Sequence, residues 1–599
     1  MISWIKNREG TMNLKFEVIP VETDVLVIGG GLAGCMAAIK ARESGVNVTI
    51  AEKSNTLRSG CAGVGIDHIW AYIPPVHSKI GWTIEDLMED HAEVMAHNFI
   101  FKDLLYLVAS SSYDRILDLE RFGLNFRYED SNIPGKFRIV NQFHSMPSSF
   151  NFDGRDIKVK LTEEAKKRRV NIMNRTMVTD LLFGDGHISG ALGVGTQTGD
   201  LYFFKAKTVV LSTGRANRLT RNLTGVDFNL PLPPHLTGDG KAMALRAGLE
   251  IINMEFIESR YLGQGVNQPS GGAPRGTYQP AGSVVDANGK VITPRTSFYD
   301  WGNLGKKKVD PIEARREFAE KRARGHFMFR LFDMHNGGEG PFYLDLTNGT
   351  EEEIKHIEWS MSNEGKCWLL LSHFREEGID LRRDKIEYMG ASVRDMRGPS
   401  AAGILVNGDL ETKIKGLFAA GDEVGGFPWS CAPGALTMGW YAGDRAAQYA
   451  LKQNSFLPVG GDSLDSLMES CSKMLTIREG DHWKEVELAV QNIMDFYCGD
   501  VTSGPLLRRG IDRLDEIKKD IKLKAANGHE LWRCLELKSI ITNIDTAMTA
   551  SLERKESRKY PVLFNRVDFP EQDDKNYYAF LAIKCENGKF KCSKIFIQR

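Results

Sequence analysis

The chain has 599 residues, beyond the size at which one hydrophobic core stops growing, so roughly three or four domains are expected from length alone. Hydrophobic residues make up 42% and charged residues 26%, the balance of an ordinary globular protein. Its 77 basic and 78 acidic residues leave a net charge of -1, which gives no electrostatic reason to expect nucleic acid or an anionic membrane as partner.

The nine cysteines are scattered and none forms a CxxC pair, so the chain offers no iron–sulfur or zinc cradle of its own. An odd, unclustered set fits a reducing cytoplasm better than a disulfide framework. The opening residues carry charges where a secretory leader is apolar, and no apolar run reaches 18 residues, so the reading is cytoplasmic and not membrane-spanning.

Residues 1–20 read as an extension. From Thr23 the pattern is α/β: an apolar strand from Asp24 to Ile28, a glycine-rich turn, a helix from Leu32 to Ser44, and a second strand from Asn47 to Ala51. Residues 83–125 read as helices, and 200–213 as a strand pair ending at Thr208–Ser212. Residues 256–305, rich in Gly, Pro, Gln, Asn and Ser, suggest long loops, and 306–325 a charged helix. The α/β character returns near Lys415. From about residue 456 the pattern is mostly helical, with strands expected near 578–597.

The turn contains GxGxxG at Gly29, Gly31 and Gly34. The first glycine permits the tight turn, the second lets backbone approach a pyrophosphate, and the third lets helix and strand pack closely. The helix N-terminus presents unpaired N–H groups and a positive dipole end to the phosphates. Glu52 closes the second strand, where an acid takes the ribose hydroxyls of a dinucleotide. The motif alone does not separate FAD from NAD.

Further segments point to FAD. Arg58–Gly65 is a loop of small residues directly after the second strand, able to bring backbone amides to a flat ring. Thr208–Gly214, Thr237–Gly240 before an Ala-rich helix, and Gly416–Asp422 follow in order. Together these resemble the flavoprotein subunits of the fumarate reductase and succinate dehydrogenase superfamily, over about residues 21–580. Within it, the likeness is greatest to the adenylylsulfate reductase alpha subunit. That likeness is carried by Val21–Val25, Glu52-Lys53 with Arg58-Ser59-Gly60, Phe152–Lys158, His529–Cys534, Glu556–Arg558 with Tyr560-Pro561, and Asp573–Asn576.

The resemblance implies an α/β fold. A Rossmann-like FAD-binding domain (21–255 and 390–455) would carry an inserted α+β capping domain (256–389) and a helical C-terminal domain (456–599). It implies FAD contacts at Gly29, Gly31, Gly34, Glu52, Lys53, Ser59, Gly60, Cys61, Gly65, Thr213, Gly214, Asp239, Gly421, Asp422, Ala435 and Leu436. Gly60 stands where membrane succinate dehydrogenases carry the histidine that bonds FAD, so non-covalent FAD is expected. Cys61 and Cys431 read as packed cysteines or catalytic thiols.

For the reaction, the resemblance implies hydride transfer between flavin N5 and a small anionic or activated C=C substrate under the cap. Arginine suits such an anion through two parallel N–H bonds. Arg260 and Arg275 are the candidates, with His68 as a possible proton donor. Gly398 stands where adenylylsulfate reductase has an active-site histidine, and Trp70 where it has a substrate-contacting asparagine. The two alternatives are a non-catalytic electron-transfer flavoprotein and an adenylylsulfate reductase alpha subunit. With no second nucleotide motif and no cluster cysteines, the electron donor is expected to be a separate iron–sulfur, ferredoxin-like subunit, docked at the C-terminal helices.

Overall fold

The computed structural model describes residues 3–6, 12–131, 133–140, 148–221, 233–261, 282–293, 334, 337–387, 392–395, 402–458, 462–499, 501–558 and 564–598. Its centre is a seven-stranded sheet. The strand Val18–Ile28 lies between Val48–Glu52 and Leu201–Leu211, in parallel with both. Asn171–Asn174 extends the sheet beyond Val48–Glu52, and Leu417–Ala419 pairs in parallel with the end of Leu201–Leu211. The hairpin Thr176–Gly184 and His187–Gly195 closes the other side in antiparallel pairing. Val25, Leu26, Val27 and Val48–Ala51 are buried, as strands covered on both faces must be. The strand Val18–Ile28 starts inside the segment read as an extension, because Leu201–Lys205 gives its first residues a partner.

The helix Leu32–Glu43 packs on the helix Cys431–Leu451. Their contact is made of small residues. A Cβ on Gly439 or Gly443 would run into the backbone of Ala33 or Ala37. This close approach brings residues 421–436 against the first glycine turn, from the far end of the Rossmann-like domain's sequence.

A second layer has its own apolar core. Val291–Thr293, Ser283–Asp286, Phe342–Asp345 and Ile386–Glu387 form an antiparallel sheet, backed by the helices Glu351–Ser362 and Gly365–Glu376. Val284, Phe342, Leu344, Ile354, Ile357 and Phe374 fill the space between. This is the cap inserted into the Rossmann-like domain. A two-stranded ribbon, Glu258–Tyr261 with Ser392–Asp395, lies at its entry and exit. The strands at 283–286 and 291–293 fall within the stretch read as long loops, and the charged helix expected at 306–325 lies outside the described residues.

The cap helix Glu351–Ser362 starts with a capping box, Thr350 with Glu353. Its far end rests on the Rossmann-like domain. Gly365 N donates to Val64 O at 2.7 Å, Arg155 to Ser362 O at 3.0 Å, and Asn151 Nδ2 to Ser360 Oγ at 3.2 Å.

The C-terminal region contains the helices Asp462–Thr476, Trp483–Tyr497, Gly504–Asp520 and Gly528–Glu553. Its last two strands, Ala579–Glu586 and Lys589–Phe596, form a hairpin where strands were expected. They join Ile251–Ile252 and Gly403–Ile404 in one sheet, so this region is stitched to the Rossmann-like domain. Among the described residues no helix is long and apolar enough to cross a membrane.

Candidate active site

The glycine turn is built as the spacing demands. Gly29 has φ +97°, and a Cβ there would lie 2.6 Å from Ser212 O. A Cβ on Gly34 would overlap the carbonyl of Gly29, so helix and strand can meet only through glycine. Gly31 differs from both: a Cβ there would meet nothing nearer than Gly60 Cα, at 4.0 Å. Open space at a helix N-terminus, facing the loop of small residues, is a cradle that fits a diphosphate.

Glu52 braces this turn. Its Oε2 accepts from Gly30 N at 2.7 Å and its Oε1 from Ser54 N at 2.7 Å. Ser59 donates to Gly30 O at 3.1 Å. Gly60 (φ +77°) lies against Gly31, and its N–H points to the His235 imidazole at 3.4 Å. Cys61 is half-buried. Gly65 is pressed between Arg155 and Asn363 of the cap.

The late segment converges on the same place. Gly421 (φ +71°) packs on Ala33 and Ala435, and Leu436 is buried one residue further along that helix. Asp422 accepts from Arg215 Nε at 2.6 Å and from Ser430 Oγ at 3.1 Å. Thr213 donates through both its backbone N (2.8 Å) and its hydroxyl (2.5 Å) to the buried Glu423. Gly214 O accepts from Lys241 Nζ at 2.6 Å.

Lys53 and Asp239 meet each other, with Nζ 2.7 Å from the carboxylate, inside a buried ion network. Glu536 completes it, 2.7 Å from Lys53, 2.5 Å from Arg218 and 2.9 Å from Arg533. Burial would raise the Glu536 carboxyl, but Arg218, Lys53 and Arg533 override it and hold the group well below the usual range. The network ties the glycine-turn region to the helix Gly528–Glu553.

Residues 24–435 match the family model described as FAD binding domain, and 487–595 match the one described as fumarate reductase flavoprotein C-term. The chain belongs to the fumarate reductase and succinate dehydrogenase flavoprotein superfamily. It is an FAD-dependent oxidoreductase. One chain of the fumarate reductase (CoM/CoB) of Methanothermobacter marburgensis is 26% identical over 581 residues, covering 92% of this chain and 95% of that protein. Adenylylsulfate reductase from Archaeoglobus fulgidus has the same fold, with TM-score 0.79 at 23% identity over 98% of this chain and 97% of that one. So has the quinol fumarate reductase flavoprotein of E. coli, with TM-score 0.74 at 19% identity over 97% of each chain.

Beyond the flavoprotein's glycine cradle, the strand Ile66–Trp70 runs from the small-residue loop toward the cap. Asp67 is buried; its Oδ1 lies 2.5 Å from His68 Nδ1, and its Oδ2 accepts the Ser360 hydroxyl at 3.0 Å. Trp70 donates from Nε1 to Trp429 O at 3.2 Å, and its ring lies 4.9 Å from that of His91, tilted by 42°. His91 Nε2 is 2.9 Å from Pro428 O, and burial pushes this imidazole down to about 4, so it is neutral at pH 7 and donates from Nε2. Trp429 and Cys431 hold left-handed φ of 57° and 49°. Backbone strain of this kind persists where surrounding contacts impose it, as around functional loops.

Arg260 lies in the ribbon at the cap's entry, with its backbone opposite Val393. Arg275 and Gly398 lie outside the described residues. Sequence reasoning singled out neither Arg215 nor Glu423, His235 nor Lys158. Lys158 ends a segment noted for its likeness, but the role of each is recognisable only once distant segments are folded together.

Proposed function

We propose that the chain transfers a hydride between FAD and a small anionic or activated C=C substrate under the cap. FAD, when bound, supplies the hydride chemistry. The chain's own residues neutralise the substrate and move a proton. Arg260, at the mouth of the cap, is the proposed anion-binding arginine, with Arg275 as a second. The observation that carries the reading is the Asp67–His68 pair, on the strand that follows the small-residue loop. The carboxylate fixes the Nδ1–H tautomer of His68, so Nε2 is the proton-transfer atom. In reduction of a C=C bond, imidazolium Nε2 gives a proton to one carbon as hydride reaches the other. In dehydrogenation the same nitrogen takes it back.

The glycines at 29, 31, 34, 60, 65, 214 and 421, with Glu52, Ser59, Thr213, Asp422, Ala435 and Leu436, form the proposed FAD contact surface. Lys53, Asp239 and Cys61 border it. Gly60 offers no side chain for a covalent link, so acid precipitation should leave the flavin in the supernatant; a flavin-bearing pellet would overturn this. The boundaries at 255/256, 389/390 and 455/456 belong to the same proposal. So does a cytoplasmic setting, which nine scattered, unclustered cysteines support, and so does an iron–sulfur, ferredoxin-like partner, as a flavoprotein subunit needs an electron donor.

Anaerobic titration of the reduced protein tests the reaction. Reoxidation of the flavin by fumarate or a similar unsaturated acid supports the reading. A flavin–sulfite adduct with AMP-dependent turnover would replace it with adenylylsulfate reduction, and reduction by a ferredoxin with no reoxidising acid would replace it with electron transfer alone.

A further inference from the structure

The Gly30 carbonyl is held by three side chains from three different elements. Ser59 donates to it at 3.1 Å, the Cys35 thiol at 3.4 Å, and Lys158 Nζ at 2.5 Å. Lys158 comes from the helix Ile157–Lys167. It also lies 3.4 Å from Gly31 O and 3.0 Å from Cys35 Sγ.

Lys158 is completely buried, and among the described residues no carboxylate lies within ion-pair distance of it. This is unusual chemistry for an ammonium group. Buried charges are normally paired, because removal from water costs several kcal/mol per ion. Carbonyl oxygens solvate the ammonium in part but do not neutralise it. The place of the charge is informative: directly behind the turn whose other side is open at Gly31.

The peptide linking Gly30 and Gly31 is planar and trans, so its C=O and N–H point in opposite directions. Holding the carbonyl toward Lys158 turns the Gly31 N–H toward the open side, and donors on the oxygen polarise that N–H further. We propose that Lys158 is the buried counter-charge of the FAD diphosphate, acting through the Gly30–Gly31 peptide and the field of its ammonium. It is a positioning residue for the cofactor. The apo protein carries an uncompensated buried cation at the cradle, and a diphosphate there completes the pair.

This separates the proposal from a structural role, since the two predict opposite effects on the apo protein. Lys158→Met and Lys158→Gln are made in the full chain. Binding of FAD, ADP and riboflavin, the last lacking phosphate, is measured by fluorescence and calorimetry, and apo melting by circular dichroism. The glutamine keeps a donor for Gly30 O without the charge. Both variants should bind FAD and ADP roughly tenfold to hundredfold more weakly, the range of one charged hydrogen bond. Riboflavin binding should be unchanged, and the apo protein should melt at the same temperature or higher. FAD affinity within threefold of the parent in both variants would overturn the proposal. So would an apo melting temperature that falls together with the loss of all three ligands.

Discussion

The Asp67 carboxylate bridges His68 and the cap, with Oδ1 2.5 Å from the imidazole Nδ1 and Oδ2 accepting from Ser360 on the cap helix at 3.0 Å. One group thus couples the orientation of the proposed proton donor to the docking of the cap. Replacing His68 with Gln should lower kcat by about 10²–10⁴-fold, the usual contribution of a positioned acid or base. Asp67→Asn should do nearly as much, because an amide can present either N or O to the ring and loses the fixed tautomer. Ser360→Ala should act mainly on KM, by loosening the cap. Stopped-flow reoxidation with an unchanged flavin spectrum in each variant is the check. A His68→Gln protein with parental kcat would remove His68 from the mechanism.

The glycine turn separates folding from cofactor binding. Gly31 has room for a methyl group in the protein itself, with Gly60 Cα 4.0 Å away, and its φ of -68° suits alanine. Gly31→Ala should fold with stability unchanged or raised by about 0.5 kcal/mol through the unfolded chain, yet lose FAD because the methyl fills the cradle. Gly34→Ala should instead cost roughly 3 kcal/mol by forcing the helix off the strand. Urea unfolding of the apo proteins and FAD titration distinguish the two. Loss of FAD from Gly34→Ala alone would place the diphosphate elsewhere.

The glycine turn, its flanking strands and helix, and the C-terminal helices were legible because each rests on a local pattern: period, small residues at fixed spacing, a strand-ending acid. The convergence of Gly421 on Ala33 was legible only through the order of the motifs. Lys53 and Asp239 show where local reading runs out. Both stand where a cofactor contact was expected, and the structure also sets Lys53 between Asp239 and Glu536, the latter 483 positions from Lys53 and with a burial no sequence window reveals. Lys158 has the same character. It sits in a segment noted for likeness, but its role depends on a helix lying behind the turn.

The ion network around Glu536 predicts a large asymmetry between its members. Glu536 is fully buried and serves Lys53, Arg218 and Arg533 together. Glu536→Gln should destabilise the protein by about 3–5 kcal/mol near neutral pH, since it strands buried cations. Arg533, with the most exposed side chain of the three cations, should cost far less when changed to Gln. Because the folded Glu536 carboxyl is held below its ordinary value of 4.5, its contribution is full above 4.5 and is lost as pH falls below it. Urea midpoints of the two variants at pH 7 measure the difference. Equal losses would mean that the network behaves as a surface cluster.

Above that range, buried histidines should govern acid stability. Burial pushes His91 from 6.5 down to about 4, and burial with the nearby Arg138 does the same to His356. A histidine with a lowered folded pKa stays neutral in the native protein and takes up its proton on unfolding. Its contribution is therefore full above 6.5 and falls away between 6.5 and about 4. The drop from 6.5 to about 4 is worth roughly 3 kcal/mol for each. His235 and His97 are lowered by burial too and act in the same direction, while Glu255 and Glu487, raised by burial, oppose it. The slope is thus a better readout than the level. Unfolding free energy should fall with pH from 6.5 to 4.5, and His91→Gln should reduce that slope by close to one proton, even though it also loses the ring contact with Trp70. An unchanged slope in His91→Gln would show that His91 is already protonated in the folded state, with its hydrogen bond to Pro428 made by an imidazolium.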